Sequence, residues 1–199
     1  MKYHHGNLKE ELISSACTIC EVNGHDHMSL RSIAKEANVS QTAPYRHFKT
    51  KEDLLAEVSK KGFEKLGEIL NQASGQNENM TAKERFIEMG FAYVKFGLER
   101  KNTYDLMHSP IIDKAEFPEL LEAASSAFDE LIKIIAELNP GISDADLSRQ
   151  CIRHWAQVHG LVGLVGDTKI NESVGTNAGD AMSIVTKDLR SFLTMALDF

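Results

Sequence analysis

The sequence is poor in the features that mark secreted and membrane proteins. It has only three cysteines in 199 residues, an odd number that does not suit a framework of disulfides. No stretch approaches the roughly 18 consecutive apolar residues of a membrane span. The opening residues, MKYHHGNLKEEL, lack the apolar core of a signal peptide. We therefore expect a cytoplasmic protein that makes no contact with a membrane.

The two-residue alternation of apolar and polar side chains that is typical of β-strands is also nearly absent. The apolar residues instead recur at helical spacing, and they make up 42% of the composition, which is enough for a globular core. No internal repeat or low-complexity tract interrupts them. The sequence predicts an all-α protein with about nine helices.

Cys17 and Cys20 have the CxxC spacing of a redox pair or of half a zinc site. No second CxxC is present to complete four zinc ligands, and no βαβ pattern surrounds the pair. Both residues fall in an amphipathic run that opens with Asn7 as helix cap and stops at Asn23, where small cysteines pack well. We therefore expect core packing for the pair, no metal site and no cofactor.

The charge is distributed unevenly along the chain, although its total is −7. Residues 1–65 carry 10 Lys and Arg against 9 Asp and Glu, whereas residues 66–199 carry 12 against 20. Five of the eight histidines lie in the first part: His4, His5, His25, His27 and His47. An acidic protein with this division of charge is still able to bind nucleic acid through its N-terminal part.

A short helix is predicted over residues 29–37. Ser29 is a suitable cap, with Met28 before it and Ile33 four residues after it at the positions of a hydrophobic staple. Asn38 follows where a residue with positive φ is needed, and asparagine tolerates that conformation better than most residues. These signals predict a helix that stops in a tight turn.

A second short helix, of two turns, is predicted directly after the turn. With Ser40 as cap, Pro44 loses only the first intrahelical hydrogen bond; with Thr42 as cap, Pro44 falls in the first turn. Phe48 would anchor this helix to the core. Two short helices joined by a tight turn form the helix-turn-helix pattern of DNA-binding proteins. A longer helix, 51–71, follows behind a capping pair of Thr50 and Asp53.

The segment MSLRSIAKEANVSQTAPYRHFKTKEDLLAEV, residues 28–58, resembles the DNA-binding domain of the TetR/AcrR family of transcriptional regulators. The resemblance covers a quarter to a third of the chain. It implies a three-helix DNA-binding domain, residues 1–50, whose long fourth helix leads into a helical ligand-binding and dimerisation domain, residues 51–199.

The resemblance also implies a role for individual residues. Arg31, Gln41 and Thr42 would face base edges in the major groove, where these side chain types form specific hydrogen bonds. Phosphates of double-stranded operator DNA would be held by Tyr45, His47 and Lys51, with Ser40, Arg46 and Lys49 on the same surface. An N-terminal arm with Lys2 and His4 would touch the DNA as well. For His47, packing beneath the second short helix is the alternative.

Four further helices and a short one are predicted in the C-terminal domain. Thr81 and Glu84 cap a helix that is apolar almost all round and is thinned by two glycines, Gly90 and Gly97. A short helix over 104–110 follows. The helix over 117–138 has Pro118 at its first position and is expected to turn Leu121 inward. Ser143 and Asp146 cap the next helix, and the last is predicted as one helix over 178–197.

Residues WAQVHG at 155–160 resemble the Trp-x-x-x-His-Gly signature of one TetR subclass. That resemblance implies a homodimer formed through the last two long helices and a cavity for a small-molecule effector. We expect Trp155 in the core. The candidate effector-binding residues are Phe91, Phe96, Tyr104, Met107, His108, Phe117, Trp155 and His159; for His159 a satisfied interhelical histidine is the alternative, and for the aromatic residues simple core packing is.

These features together predict a ligand-responsive DNA-binding transcriptional regulator, a dimeric repressor that a small molecule releases from a pseudo-palindromic operator. Two other classes remain as alternatives. One is a helical ligand-binding or scaffold protein that does not bind DNA. The other is a thiol or metal enzyme, for which no nucleophile, base and orienting group stand at recognisable spacing.

Overall fold

The computed structural model describes residues 8–75, 79–167, 169, 172–173 and 175–195. Over these residues the chain forms nine α-helices and three short 3-10 turns and no strand, which confirms the all-α prediction. The helices are α1 (Leu8–Asn23), α2 (Leu30–Glu36), α3 (Lys51–Ser74), α4 (Ala82–Glu99), α5 (Lys101–His108), α6 (Pro118–Leu138), α7 (Asp144–Val165), α8 (Asn177–Lys187) and α9 (Leu189–Met195).

Most helix starts lie where the sequence predicts them. The Ser29 side chain accepts a hydrogen bond from the backbone N–H of Ser32, and the Ser32 hydroxyl accepts one from the N–H of Ser29. Pro118 is the first residue of α6. Predicted capping residues begin three more helices, each accepting a hydrogen bond from the N–H three residues later: Thr50 from Asp53, Thr81 from Glu84, and Ser143 from Asp146. The predicted Asn7 cap lies outside the described residues.

The prediction of one C-terminal helix over 178–197 is wrong. Helix α8 ends at Lys187, and Asp188 has φ −140° and ψ 64°, outside the helical region. The Asp188 carboxylate accepts hydrogen bonds from the backbone N–H and the hydroxyl of Ser191. Aspartate bonds nearby backbone groups more readily than it extends a helix, so it caps α9 instead of continuing α8.

Three further expectations are corrected. The short helix α5 begins at Lys101, earlier than the predicted residue 104, because the backbone of Arg100 (φ −123°, ψ 46°) separates it from α4. Leu121 was predicted to face inward but is 47% exposed. Trp155 was predicted in the core but is 36% exposed. Helical spacing identifies the apolar stripe of a helix, but it does not show which side chains of that stripe are covered by neighbouring helices.

The chain divides into two compact units. The first comprises Met1–Lys65 and Arg100–Ala124, of which residues 8–65 and 100–124 are described. Within it α5 packs on α1: the Thr103 hydroxyl donates to a carboxylate oxygen of Glu21 at 2.5 Å, and the Asn102 amide donates to the Glu21 carbonyl at 2.9 Å. Sequence reasoning gave no sign that α5 belongs with the N-terminal helices.

The second unit comprises Leu66–Glu99 and Ser125–Phe199. Helix α4 packs there against α7 and α9. A Cβ atom at Gly97 would lie only 2.6 Å from Val162, so this glycine lets α4 and α7 approach closely. The Arg190 guanidinium pairs with Glu88 and lies 3.8 Å from the ring centre of Phe91. These contacts fix α9 on α4.

Candidate DNA-binding site

The turn after α2 is closed by two backbone hydrogen bonds. The Val39 N–H donates to the Ala34 carbonyl at 2.9 Å, and the Asn38 N–H donates to the Lys35 carbonyl at 3.2 Å. This pattern is the Schellman motif, which requires a left-handed residue after the last helical one. Asn38 has φ 53°, so the predicted positive φ is confirmed.

The segment after the turn differs from the predicted helix of two turns. It contains consecutive tight turns from Ser40 onward and a single 3-10 turn, Pro44–Arg46. Pro44 has no N–H to donate to the Ser40 carbonyl, so the bond that would begin an α-helix is missing. The Phe48 N–H donates to the Pro44 carbonyl at 2.9 Å. The segment is therefore a tighter version of the second helix, and we call residues 40–48 the recognition segment.

The recognition segment has a buried side and an exposed side. Phe48 is only 2% exposed, which confirms its predicted role as an anchor, and Ala43 and Pro44 are buried beside it. Tyr45 is 54% exposed. The other predicted DNA-contacting residues that are exposed are Arg31, Ser40, Gln41, Thr42, Arg46, His47 and Lys49; Lys51 is half-buried. Lys2 and His4 lie outside the described residues.

The cations at this site lack a neutralising partner within the part of the chain that the structure describes. Within the described residues no carboxylate forms an ion pair with Arg31, Arg46, Lys49 or Lys51. Lys51 opens α3, where the partial positive charge of a helix N-terminus adds to the attraction for a phosphate. This surface is suited to phosphate contacts from its cations and to base contacts from its amide, hydroxyl and guanidinium groups.

One carboxylate holds the end of this surface in shape. The Asp53 carboxylate accepts hydrogen bonds from the backbone N–H groups of Lys49, at 2.7 Å, and Thr50, at 3.0 Å. The capping pair therefore fixes the backbone that carries Lys49 and Lys51. The sequence pattern predicted the cap of α3 but not the second bond, to Lys49.

The eight candidate effector-binding residues are divided between the two units. The first unit contains Tyr104, Met107, His108 and Phe117. Met107 is completely buried against Gly62, where a Cβ atom would lie 2.5 Å from its sulfur. The Tyr104 and His108 rings pack at 4.5 Å between centres. Core packing accounts for these contacts, and an effector role for the four residues stays a prediction.

In the second unit Trp155 and His159 share a partner, Tyr93, that sequence reasoning did not single out as a site residue. The Trp155 indole N–H donates to the Tyr93 hydroxyl at 3.1 Å, and Nδ1 of His159 lies 3.5 Å from the same oxygen. Burial lowers the pKa of His159, which favours the neutral form of the ring. Phe91 lies under Arg190 and Phe96 is 3% exposed.

The three cysteines lie in buried or half-buried positions. Cys17, Cys20 and Cys151 are free thiols, and burial raises the pKa of all three, that of Cys20 to about 11. No group of three or more potential metal ligands occurs among the residues that the structure describes. In the same part of the chain no helix is long and apolar enough to cross a membrane.

Two family models match the chain. The model described as bacterial regulatory proteins, tetR family, matches residues 12–58, and the model described as tetracyclin repressor-like, C-terminal domain, matches residues 86–183. The chain is also 33% identical over 76 residues to the fatty acid metabolism regulator protein of Bacillus subtilis (strain 168). That match spans 38% of each protein.

Solved structures share the fold over nearly the whole chain. A protein with unknown function from Rhodococcus sp. RHA1 is 28% identical, covers 98% of both chains and has a TM-score of 0.73. A bacterial regulatory protein in the tetR family, also from Rhodococcus RHA1, is 16% identical, covers 94% of both chains and has a TM-score of 0.61. The Trp-x-x-x-His-Gly subclass stays a prediction. The two family models and the shared fold show that the chain belongs to the TetR family of bacterial regulatory proteins.

Proposed function

We propose that this TetR-family transcriptional regulator is a homodimeric repressor that a small molecule releases from a pseudo-palindromic operator. The observation that carries the proposal is the exposed surface of α2 and the recognition segment. It combines cations that no carboxylate in the described part of the chain neutralises with side chains able to hydrogen-bond base edges. A protein surface of this kind attracts the DNA backbone and reads the bases it faces.

Within this surface, three residues are assigned to bases and three to phosphates. Arg31 at the start of α2, with Gln41 and Thr42 at the start of the recognition segment, would reach base edges. The phosphate contacts would come from Tyr45, His47 and Lys51, with Ser40, Arg46 and Lys49 on the same face. The Ser40 and Thr42 hydroxyls lie 3.3 Å apart, which favours a defined orientation of both.

The homodimer is supported by apolar side chains that α7, α8 and α9 leave exposed. The most exposed are Ile152 at 54%, Leu164 at 48%, Ile184 at 70% and Met195 at 65%. Gly160 and Gly163 on α7 have no atom within 4 Å of where a Cβ would be, so a partner helix could approach closely. Apolar surface of this extent on one set of helices is what a second copy would bury.

The effector response is assigned to the aromatic cluster of Tyr93, Trp155 and His159. Its hydroxyl, indole and neutral imidazole supply hydrogen-bonding groups among apolar rings, which is the composition of a small-molecule site. Helix α3 runs without a break from Lys51 to Ser74 and is the candidate lever between effector and DNA. A coupling of about 1–3 kcal/mol would weaken operator binding roughly 5- to 150-fold.

The proposal makes the protein a cytoplasmic regulator and not an enzyme. Its family and fold are those of transcriptional regulators, and burial raises the pKa of the three cysteine thiols, which disfavours the reactive thiolate. The exposed cations of α2 and the recognition segment argue against the alternative of a scaffold that no longer binds DNA.

Selection from random DNA tests the proposal. The purified protein is incubated with a library of random duplexes at about 0.15 M salt, and bound DNA is amplified over several rounds. We expect enrichment of an inverted repeat by the natural protein and loss of enrichment by a Gln41→Ala, Thr42→Ala double variant. A Lys95→Ala variant, altered at an exposed residue of α4, should enrich the same repeat. An enriched motif without two-fold symmetry would contradict the dimeric reader.

A further inference from the structure

A groove of about 230 Å³ lies in the first unit beside the recognition segment. One wall is His47 and Phe48, at the end of that segment. A second wall is one face of α3, formed by four residues at the helical spacing i, i+3, i+4 and i+7: Asp53, Ala56, Glu57 and Lys60. The third wall is residues 116–120, which include the first turn of α6. We call this the acidic groove.

The acidic groove has an apolar base. Phe48 and Leu120 line it and are 2% and 1% exposed, so they form its floor. Phe117 is half-buried and presents an aromatic ring at the side. Because Phe48 and Leu120 are nearly inaccessible to water, the hydrocarbon surface that a ligand would remove from water is mainly its own and that of the Phe117 ring.

The charged residues of the groove are mainly carboxylates. Four acids, Asp53, Glu57, Glu116 and Glu119, line it with one ammonium, Lys60. Lys60 is already shared, because it pairs with Glu119 and lies 3.3 Å from Glu57. Lys9 pairs with Glu57 as well. After these pairs an excess of two carboxylates remains.

Among the described residues no side chain neutralises the two carboxylates in excess. Asp53 accepts hydrogen bonds from backbone N–H groups only. For Glu116 the described residues supply no ion-pair partner. The N-termini of α3, beside Asp53, and of α6 each contribute about half a positive charge, and together they are smaller than the excess of two carboxylates. The groove thus favours a positively charged ligand.

The carboxylates are spread along the walls and do not converge on one point. No cluster of three or more potential metal ligands exists in the described part of the chain, so a bare metal ion finds no coordination site. A volume of about 230 Å³ is somewhat below that of pockets for drug-sized ligands, about 300–1,000 Å³. The occupant that fits is larger than an ion and smaller than a typical drug.

We propose that the acidic groove binds a small organic cation with an apolar body, such as an aryl or alkyl ammonium compound. The apolar body rests on Phe48 and Leu120, and the cationic head faces Glu116 and the ring of Phe117, which attracts a cation electrostatically. This site goes beyond the proposed function, since the proposed effector cluster of Tyr93, Trp155 and His159 belongs to the other unit.

Calorimetry on the full chain without DNA tests the proposal. Benzyltrimethylammonium is the probe, and benzoate, which has a similar ring but the opposite charge, is the comparison. We expect one benzyltrimethylammonium per chain, with affinity that falls as salt is added because part of the attraction is electrostatic. Equal or tighter binding of benzoate would overturn the proposal, and so would no detectable binding of the ammonium probe.

Two variants locate the site. Glu116→Gln removes an exposed carboxylate of the groove and should weaken binding about 2- to 5-fold, the range for a partly exposed charge pair. Phe117→Ala should weaken it to a similar extent through loss of the ring. Glu122→Gln is the matched control, because Glu122 is an exposed carboxylate of α6 outside the groove, and it should leave binding unchanged.

These variants distinguish binding of the probe in the groove from nonspecific electrostatic attraction to surface carboxylates. A loss of affinity in Glu122→Gln equal to that in Glu116→Gln would overturn the assignment to the groove. Circular dichroism and thermal melts of each variant verify that a weaker signal reflects a folded protein. Because DNA is absent from the measurement, failure here leaves the DNA-binding proposal standing, and failure of DNA selection leaves this site standing.

Discussion

Arg31 and Lys51 carry the same charge but are expected to contribute differently to DNA binding. A guanidinium forms two parallel hydrogen bonds to guanine O6 and N7, so Arg31 at the start of α2 distinguishes one base pair from another. An ammonium at the N-terminus of α3 behaves as a point charge beside a phosphate, which is the same in every sequence. Substitution of Arg31 and of Lys51 therefore distinguishes base recognition from electrostatic attraction to phosphates.

For Arg31→Ala we expect a loss of about 1–3 kcal/mol on the selected operator and a weaker preference at one position of each half-site. Lys51→Ala should weaken binding to operator and random DNA alike and lower the slope of log affinity against log salt by about one. Fluorescence anisotropy over a salt series measures both.

Lys95→Ala is the control for net charge, since Lys95 is exposed on α4 in the second unit, and it should change neither quantity. Equal losses for Arg31→Ala on operator and random DNA would remove the base-reading role of that residue.

Cys20 should stay unreactive in the folded protein. Burial raises its pKa to about 11, so at pH 8 only about one thiol in a thousand is ionised, and the thiolate is the reactive form. Alkylation with iodoacetamide, followed by mass spectrometry, should label Cys20 slowly at pH 8 and faster as the pH approaches 11. The same protein in denaturant is the control and should be labelled at once. Rapid labelling of folded Cys20 would favour the thiol-enzyme alternative.

At the scale of helices and turns, the sequence predicts best where one side chain decides the local backbone. The caps at Ser29, Thr50 and Ser143 and the left-handed Asn38 follow from hydrogen bonds between neighbours, so a single sequence contains the information. The recognition segment was predicted less well. Pro44 allowed two caps and did not reveal that the loss of one hydrogen bond would leave tight turns and a single 3-10 turn, Pro44–Arg46, in place of a two-turn helix.

Asn38 provides a test of the turn. Asn38→Gly should change the free energy of unfolding little, because glycine adopts φ 53° without strain. Asn38→Val should destabilise by about 1–2 kcal/mol or more, since a β-branched residue is strained there. Urea unfolding measures both. Glu36→Val, two residues earlier at the end of α2, is the matched control and should cost less than about 0.7 kcal/mol. Equal costs for the two valines would contradict a strained turn.

At the scale of the whole molecule, long-range packing was the part that the sequence did not predict. The placement of α5 on α1 depends on hydrogen bonds between Glu21, Asn102 and Thr103, which lie about 80 residues apart. The aromatic cluster was half predicted, because the WAQVHG motif marks Trp155 and His159 but not Tyr93. Likewise, the acidic groove joins residues of the helix-turn-helix segment and α3 to residues 116–120, which lie far along the chain and match no motif.

The proposed dimer can be tested by introducing one carboxylate into its interface. Ile184 on α8 is 70% exposed in the single chain, so Ile184→Asp should leave the fold intact but place a carboxylate in the proposed interface, where desolvation opposes association. Analytical ultracentrifugation should show a dimer for the natural protein and monomer for the variant. Val22 on α1 is 72% exposed, and Val22→Asp should remain a dimer. A dimer in both variants would move the interface elsewhere.

The spacing of operator half-sites tests most directly the central claim that two copies of the recognition segment read DNA together. Affinity is measured for the selected inverted repeat and for the same repeat with five base pairs inserted between its halves. The insertion turns one half-site to the opposite face of the duplex, so affinity should fall toward that for random DNA, which is about 10³-fold weaker or more. Unchanged affinity would show that each copy reads its half-site alone and would contradict the paired reader.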